Sequence, residues 1–118
     1  MNALYVTTNN TVCSVDCPDK ITFEWAKKLI KCYYIEIVRP QGLPRKYVML
    51  IDEEGKLQPH AMNPICSTLY GYEKHGVYIA GNALIVKEAL VDGEPDLIGL
   101  DEEDVKALHI IIAREMVS

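Results

Sequence analysis

The chain has 118 residues, of which 49% are hydrophobic and 25% charged, and its formal net charge at pH 7 is −5. The length is that of one folded domain spanning residues 1–118, and the composition excludes disorder as the main state. The negative charge repels phosphate backbones, so a nucleic-acid partner is not expected. We interpret Lys27, Lys28 and Lys31 as a solvated helix face.

The beginning of the chain lacks the basic start and long apolar stretch of a secretory signal, and no apolar run approaches the length of a membrane span. Four cysteines without such a signal indicate reduced thiols. We therefore expect a cytoplasmic protein without membrane contact.

The N-terminal region is predicted to form a hairpin followed by a helix. Asn9-Asn10 is typical of a tight hairpin turn, because asparagine tolerates a positive φ, and apolar residues flank the pair. Thr22 is a favourable N-cap for a helix that ends near Cys32. The apolar positions of this helix recur at helical spacing and are Phe23, Ala26, Leu29 and Ile30.

Two strands are predicted next. Residues 33–39 alternate between the two faces of a strand, and residues 47–52 are more continuously apolar, which indicates a central strand. The two should pair as an antiparallel hairpin. After the second strand comes a Glu-Glu-Gly-Lys turn, in which Gly55 is expected to take the left-handed conformation.

In the C-terminal half, Asn63-Pro64 predicts a short helix that ends at Gly71. Residues 78–80 and 83–86 are read as strands interrupted at Gly81-Asn82, and residues 92–95 as a turn. The acids at 101–104 cap a last helix that runs to about residue 116 with an apolar face. Together the elements predict an α+β fold, with a mainly antiparallel sheet of hairpins packed against two to three helices.

No catalytic or metal-binding motif is recognisable, and no cofactor is expected. Glycine-rich phosphate loops are missing, and the cysteines lack the paired spacing of a zinc site. His60 and His75 are placed in loops without an identifiable partner, and His109 is expected to be partly buried. The alternative is a small cytosolic enzyme that uses Cys66, which lies at a helix start, or a histidine.

Tyrosines point to a binding surface. The chain has seven tyrosines but only one phenylalanine and one tryptophan, and tyrosine offers both an apolar ring and a hydroxyl to a ligand. Asn63, at a helix start, could present backbone N–H groups to an anion. The predicted ligand-binding residues are Asn63, Tyr70, Tyr72 and Asn82.

The runs YIEIVRP, YVMLIDEEGKLQPHAMNPICSTLYG and VYIAGNALIV resemble a family catalogued as domain of unknown function 3846. The resemblance spans roughly residues 22–87, and more loosely the whole chain. Similar sequences often have Val-Gly-Gly where this chain has Ile30-Lys31-Cys32, so the corner between helix and strand is expected to differ.

The resemblance implies an origin in bacteria, phages or mobile elements, without an established enzymatic activity. It leads to the hypothesis of a non-catalytic binding protein that counteracts host defence, either by occluding a host protein or by sequestering a nucleotide-like signal. Self-association as a regulatory subunit is a further alternative, so a homo-oligomer stays open.

Overall fold

A computed structural model describes residues 1–116 of the chain. Over these residues there are six strands and four helices. The strands are β1 (Asn2–Val6), β2 (Val12–Asp16), β3 (Ile35–Val38), β4 (Tyr47–Asp52), β5 (Ala83–Val91) and β6 (Glu94–Ile98). The helices are α1 (Phe23–Ile30), α2 (Pro64–Tyr70), α3 (Tyr72–His75) and α4 (Glu102–Met116).

All six strands form one antiparallel sheet, with β5 as its central strand. The order is β2-β1-β5-β4-β3, and β6 pairs with the C-terminal half of β5. Leu84 and Ile85 of β5 pair with β1 on one side and β4 on the other, whereas Lys87 pairs with β4 and β6. β1 and β6 therefore follow one another along the same edge of β5.

Helices cover both faces of the sheet, which gives three layers. One face packs its buried side chains against α2 and α4, and the other packs against α1. β4 shows the alternation most clearly: Met49 and Ile51 belong to the first core, and Val48 and Leu50 to the second. The predicted α+β class with an antiparallel sheet is confirmed, and the helix count is near the prediction.

Capping chemistry sets the ends of α1. Thr22 accepts a hydrogen bond from the N–H of Trp25 at 3.2 Å, as expected for an N-cap. The helix closes at Lys31, whose φ of 65° lies in the left-handed region. Glycine adopts this conformation at lower cost, so Lys31 is an unusual residue to close a helix.

Two predictions for the C-terminal half are wrong. Residues 78–80 form no strand, since only Ala80 makes an isolated bridge, to Met62. The predicted turn at residues 92–95 is shorter than expected, because Asp92 and Gly93 alone take positive φ and β6 begins at Glu94. Pro95 misled the prediction. Proline is tolerated in β6 because the bridge from Lys20 to the other edge of this strand lies at Ile98, and at Pro95 the strand pairs only with β5 within residues 1–116.

Gly55 was also misjudged, since its φ is not positive. A Cβ atom at this position would lie 2.8 Å from the carbonyl oxygen of Ala80. Glycine is needed here because the turn after β4 passes very close to the chain that leads into β5.

Asp104, at the start of α4, does more than complement the helix dipole. Asp101 caps the helix by accepting from the N–H of Asp104 at 2.8 Å, and Asp104 accepts from the N–H of Asp101 at 3.0 Å. The buried carboxylate of Asp104 also accepts hydrogen bonds from Tyr47 Oη at 2.8 Å and Lys87 Nζ at 2.6 Å. This network fastens α4 to β4 and β5.

No helix within residues 1–116 has the length and apolar character needed to cross a membrane.

Candidate functional site

Three loops meet at one end of the sheet: residues 7–11 after β1, residues 53–62 after β4, and residues 76–82 before β5. The side chain of Asn63 connects two of these loops. Its Nδ2 donates to the carbonyl oxygens of Val6, at 3.1 Å, and Gly81, at 3.0 Å, while its Oδ1 accepts from the N–H of Cys66 at 3.0 Å. The side chain is fully buried. Asn63 thus caps α2 and fixes two of the loops.

Asn82 makes a second connection between the loops. Its Oδ1 accepts from the N–H of Thr8 at 3.1 Å, and its Nδ2 donates to Tyr5 Oη at 2.9 Å. Unlike Asn63, Asn82 is only partly buried. The hairpin of β1 and β2 is thereby held against the segment that leads into β5.

Two cavities flank this junction. The first, which we call the acidic cleft, has a volume of about 240 Å³, and its charged and aromatic lining consists of Glu36, Asp52, Glu53, Lys56, Tyr70 and Tyr78. The second, which we call the histidine cavity, has a volume of about 260 Å³ and is lined in part by Thr8, Asp52, His60 and Asn82. Asp52, at the end of β4, borders both.

The acidic cleft carries negative charge that is not neutralised within residues 1–116. Glu36 and Glu53 are exposed and make no ion pair in this part of the chain. The one basic residue of the lining, Lys56, places its Nζ 4.5 Å from the centre of the Tyr78 ring. The cleft therefore combines two open carboxylates with two tyrosine rings.

The histidine cavity contains a carboxylate–imidazole pair. The Asp52 carboxylate lies 3.3 Å from Nε2 of His60 and also accepts from the N–H of Glu54 at 2.9 Å. Such a carboxylate orients an imidazole ring, as in acid–base catalysis. Cys32 is not part of the lining, and burial, followed by the charge of Asp52, raises the pKa of its thiol and disfavours its thiolate.

All three histidines differ from the sequence-based expectation. His60 pairs with Asp52. His75 lies at the end of α3 and not in a loop, and it accepts from the N–H of Val77 through Nδ1 at 3.1 Å. His109 is exposed on α4 instead of partly buried, because the apolar face of that helix is formed by its neighbours. No group of three or more histidine, cysteine or acidic residues within residues 1–116 is arranged to hold a metal ion.

The four predicted ligand-binding residues lie in different surroundings. Tyr70 lines the acidic cleft and Asn82 the histidine cavity. Asn63 lines neither cavity, and its amide is engaged by the protein itself. Tyr72 is 39% exposed and stacks edge-to-face on Tyr78, with 6.5 Å between ring centres, without lining the cleft. The four do not converge on one cavity.

Sequence reasoning missed most of the acidic cleft. Glu36 was assigned only to a strand face, and Glu53 and Lys56 only to a turn. Tyr78 was assigned to a strand and counted among the tyrosines that suggest a binding surface. One signal was present: a pair of acids directly after the most apolar strand lies at a sheet end, where loops gather.

Cys66 is the thiol that the enzyme alternative would use as a nucleophile. Its side chain is fully buried in the core, and burial raises its pKa to about 12. We expect iodoacetamide at pH 7.5 to modify the exposed Cys13 first in the native protein, and to leave Cys66 unmodified.

Peptide mapping by mass spectrometry gives the rate at each cysteine. The control is the same protein unfolded in guanidinium, in which all four cysteines should react alike. Rapid modification of Cys66 in the native protein would contradict its inert character. It would support the enzyme alternative, which needs a reactive thiol.

The geometry defines a three-layer α+β protein with two small cavities where loops converge at one end of its antiparallel sheet. The chain belongs to the DUF3846 family, whose model, described as a domain of unknown function, matches residues 1–112. Searches of curated proteins and of solved structures gave no match.

Proposed function

We propose that this chain is a non-catalytic binding protein of the cytoplasm, and that its acidic cleft receives a basic side chain of a partner protein. The observation that carries the proposal is the pair of open carboxylates, Glu36 and Glu53, beside the rings of Tyr70 and Tyr78. Carboxylates and tyrosine rings both attract a guanidinium or ammonium group.

The size of the cleft supports a side chain over a whole nucleotide. Ligand pockets for small molecules usually measure about 300–1,000 Å³, and the acidic cleft, at about 240 Å³, is smaller. The negative charge of the cleft also disfavours a nucleotide, because the carboxylates of Glu36 and Glu53 would repel its phosphates. Of the two partners implied by the family resemblance, we therefore favour a host protein over a nucleotide-like signal.

In the phage or mobile-element setting that the resemblance implies, such binding would occlude a host protein, including one that acts in defence. The enzyme alternative has less support. Burial raises the pKa of the thiols of Cys17, Cys32 and Cys66, which disfavours the thiolate that a nucleophile needs.

The test is a titration of the ¹⁵N-labelled protein with N-acetyl-arginine methylamide, followed by NMR. We expect weak, saturable shifts at the amides that surround the cleft. Replacing both carboxylates (Glu36→Gln with Glu53→Gln) should weaken binding about fivefold, because each exposed ion pair contributes roughly 0.5 kcal/mol. The control, Glu94→Gln with Glu103→Gln, makes the same change in net charge away from the cleft and should leave affinity unaltered.

Adenosine monophosphate serves as the competing probe. Tighter binding of this nucleotide than of the arginine derivative at the cleft would overturn the assignment, as would equal affinity of the two double variants.

A further inference from the structure

Among the strands of residues 1–116, β3 is the last of the sheet, and no strand pairs with its outer edge next to the acidic cleft. The N–H of Glu53 donates to the carbonyl oxygen of Tyr34 at 3.0 Å, which fixes the alternation of hydrogen bonds between β3 and β4. In this register the backbone of Glu36 bonds to β4, whereas the N–H and C=O groups of Ile35 and Ile37 point away from the sheet. These groups can pair with an added strand.

The two faces of this edge differ in character. On one face the side chains of Glu36 and Val38 line the acidic cleft. On the other face Ile35 packs against the core beneath α1, and Ile37 is 37% exposed beside it. A strand added here would therefore meet a carboxylate on one face and apolar surface on the other.

We infer that the partner is recognised as an extended segment that pairs with β3 and places an arginine or lysine opposite Glu36. This inference rests on the proposed function and specifies how the partner's backbone is held. In an added antiparallel strand, the residue opposite Glu36 occupies a non-hydrogen-bonded pair, in which the Cα atoms approach to about 4.5 Å and side chains are closest. Its basic side chain reaches the cleft, and its two neighbours meet Ile35 and Ile37.

Charge also distinguishes this partner from a second copy of the chain. Self-pairing of β3 that uses the open groups of both Ile35 and Ile37 is centred on Glu36 and places two Glu36 carboxylates opposite each other. Like charges in this position are destabilising. A basic strand replaces that repulsion with attraction, so the edge favours a foreign segment.

The test uses the blocked peptide acetyl-Thr-Val-Arg-Val-Thr-amide and its N-methylated forms in calorimetric titrations. Methylation of both valine amides removes the donors that face β3 and should weaken binding at least tenfold. Methylation of the arginine amide, which faces away from β3, is the matched control and should have little effect. Equal affinity of the two methylated forms would overturn strand addition.

Protein variants supply a second measurement. Ile37→Pro removes one outward N–H of β3 and should weaken peptide binding about tenfold while the NMR titration with the arginine derivative is retained. Ser14→Pro places the same residue at an outward position of β2, the opposite edge, and should bind the peptide normally. Normal binding by a folded Ile37→Pro variant would overturn the inference.

The two proposals fail in different ways. If the peptide and the arginine derivative both bind at the cleft but N-methylation has no effect, the proposed function stands and strand addition is wrong. If neither probe shifts the amides around the cleft, both are wrong. A dimer in light scattering that Ile37→Pro abolishes would show that a second copy occupies this edge, and would overturn the inference.

Discussion

Asn63→Ala is expected to lower the free energy of unfolding by about 2–4 kcal/mol. The loss of an N-cap costs about 1 kcal/mol, and a buried carbonyl left without a donor, here that of Gly81, adds about 1–3 kcal/mol. Asn63 is fully buried, and its amide serves the carbonyls of Val6 and Gly81 as well as the start of α2. Such a loss is a large part of the 5–15 kcal/mol that stabilises a typical domain.

Urea unfolding followed by circular dichroism measures this effect. Asn82→Ala is the control: it also removes two hydrogen bonds from the loop junction, but at a partly buried side chain, so we expect about 1 kcal/mol. If Asn63→Ala were as stable as the unaltered protein but bound its partner poorly, Asn63 would be a binding residue, as the sequence suggested, and not an internal support.

Lys87→Met is expected to destabilise the protein by about 3–5 kcal/mol, because it removes the largely buried cation that is hydrogen-bonded to the buried Asp104 carboxylate. Lys87 Nζ lies 2.6 Å from Asp104, and both side chains are largely buried. Lys46→Met is the matched control. Its Nζ lies 3.7 Å from the same carboxylate, but this lysine is exposed, so the expected loss is below about 1 kcal/mol. Similar losses for the two variants would contradict a special role of Lys87.

The same network predicts how stability depends on pH. Burial alone would raise the pKa of Asp104, but the hydrogen bonds from Lys87, the Asp101 N–H and Tyr47 outweigh it and lower the pKa to about 2. The unfolded value is about 3.9. The contribution of Asp104 is therefore complete above about pH 4 and is lost as the pH falls towards 2. Urea unfolding at pH 2–5 measures this effect. In Asp104→Asn, the fall in the free energy of unfolding between pH 5 and pH 2 should be about 2 kcal/mol smaller than in the unaltered protein.

The elements that were predicted well depend on local chemistry. The start of α1 at Thr22 and the limits of α2 at Asn63 and Gly71 follow from side-chain and backbone preferences within a few residues. The hairpin of β3 and β4 also joins neighbours in the chain. In each of these cases the partners of the hydrogen bonds can be read from the sequence nearby.

What could not be predicted depends on residues far apart in the chain. β6 was missed because Pro95 is acceptable only at an edge that the strand order creates. The acidic cleft joins Glu36, Glu53 and Tyr78, which come together only when the sheet and α2 have packed. The two carbonyl partners of Asn63 could not be predicted for the same reason, since they belong to distant segments.

The place of β1 in the sheet has a consequence for the order in which the protein can fold. Leu4 pairs with Ile85, which follows 81 positions later in the chain. Contacts this distant in sequence slow folding, because a long loop must close before they form. At about 5–20 residues per second, the ribosome needs roughly 4–16 s to add the residues between these partners. During that time the hairpin of β1 and β2 is outside the ribosome while β5, the strand that pairs with β1, has not yet been made. In a chain interrupted before Ala83, the edge of β1 would stay unpaired and open to aggregation.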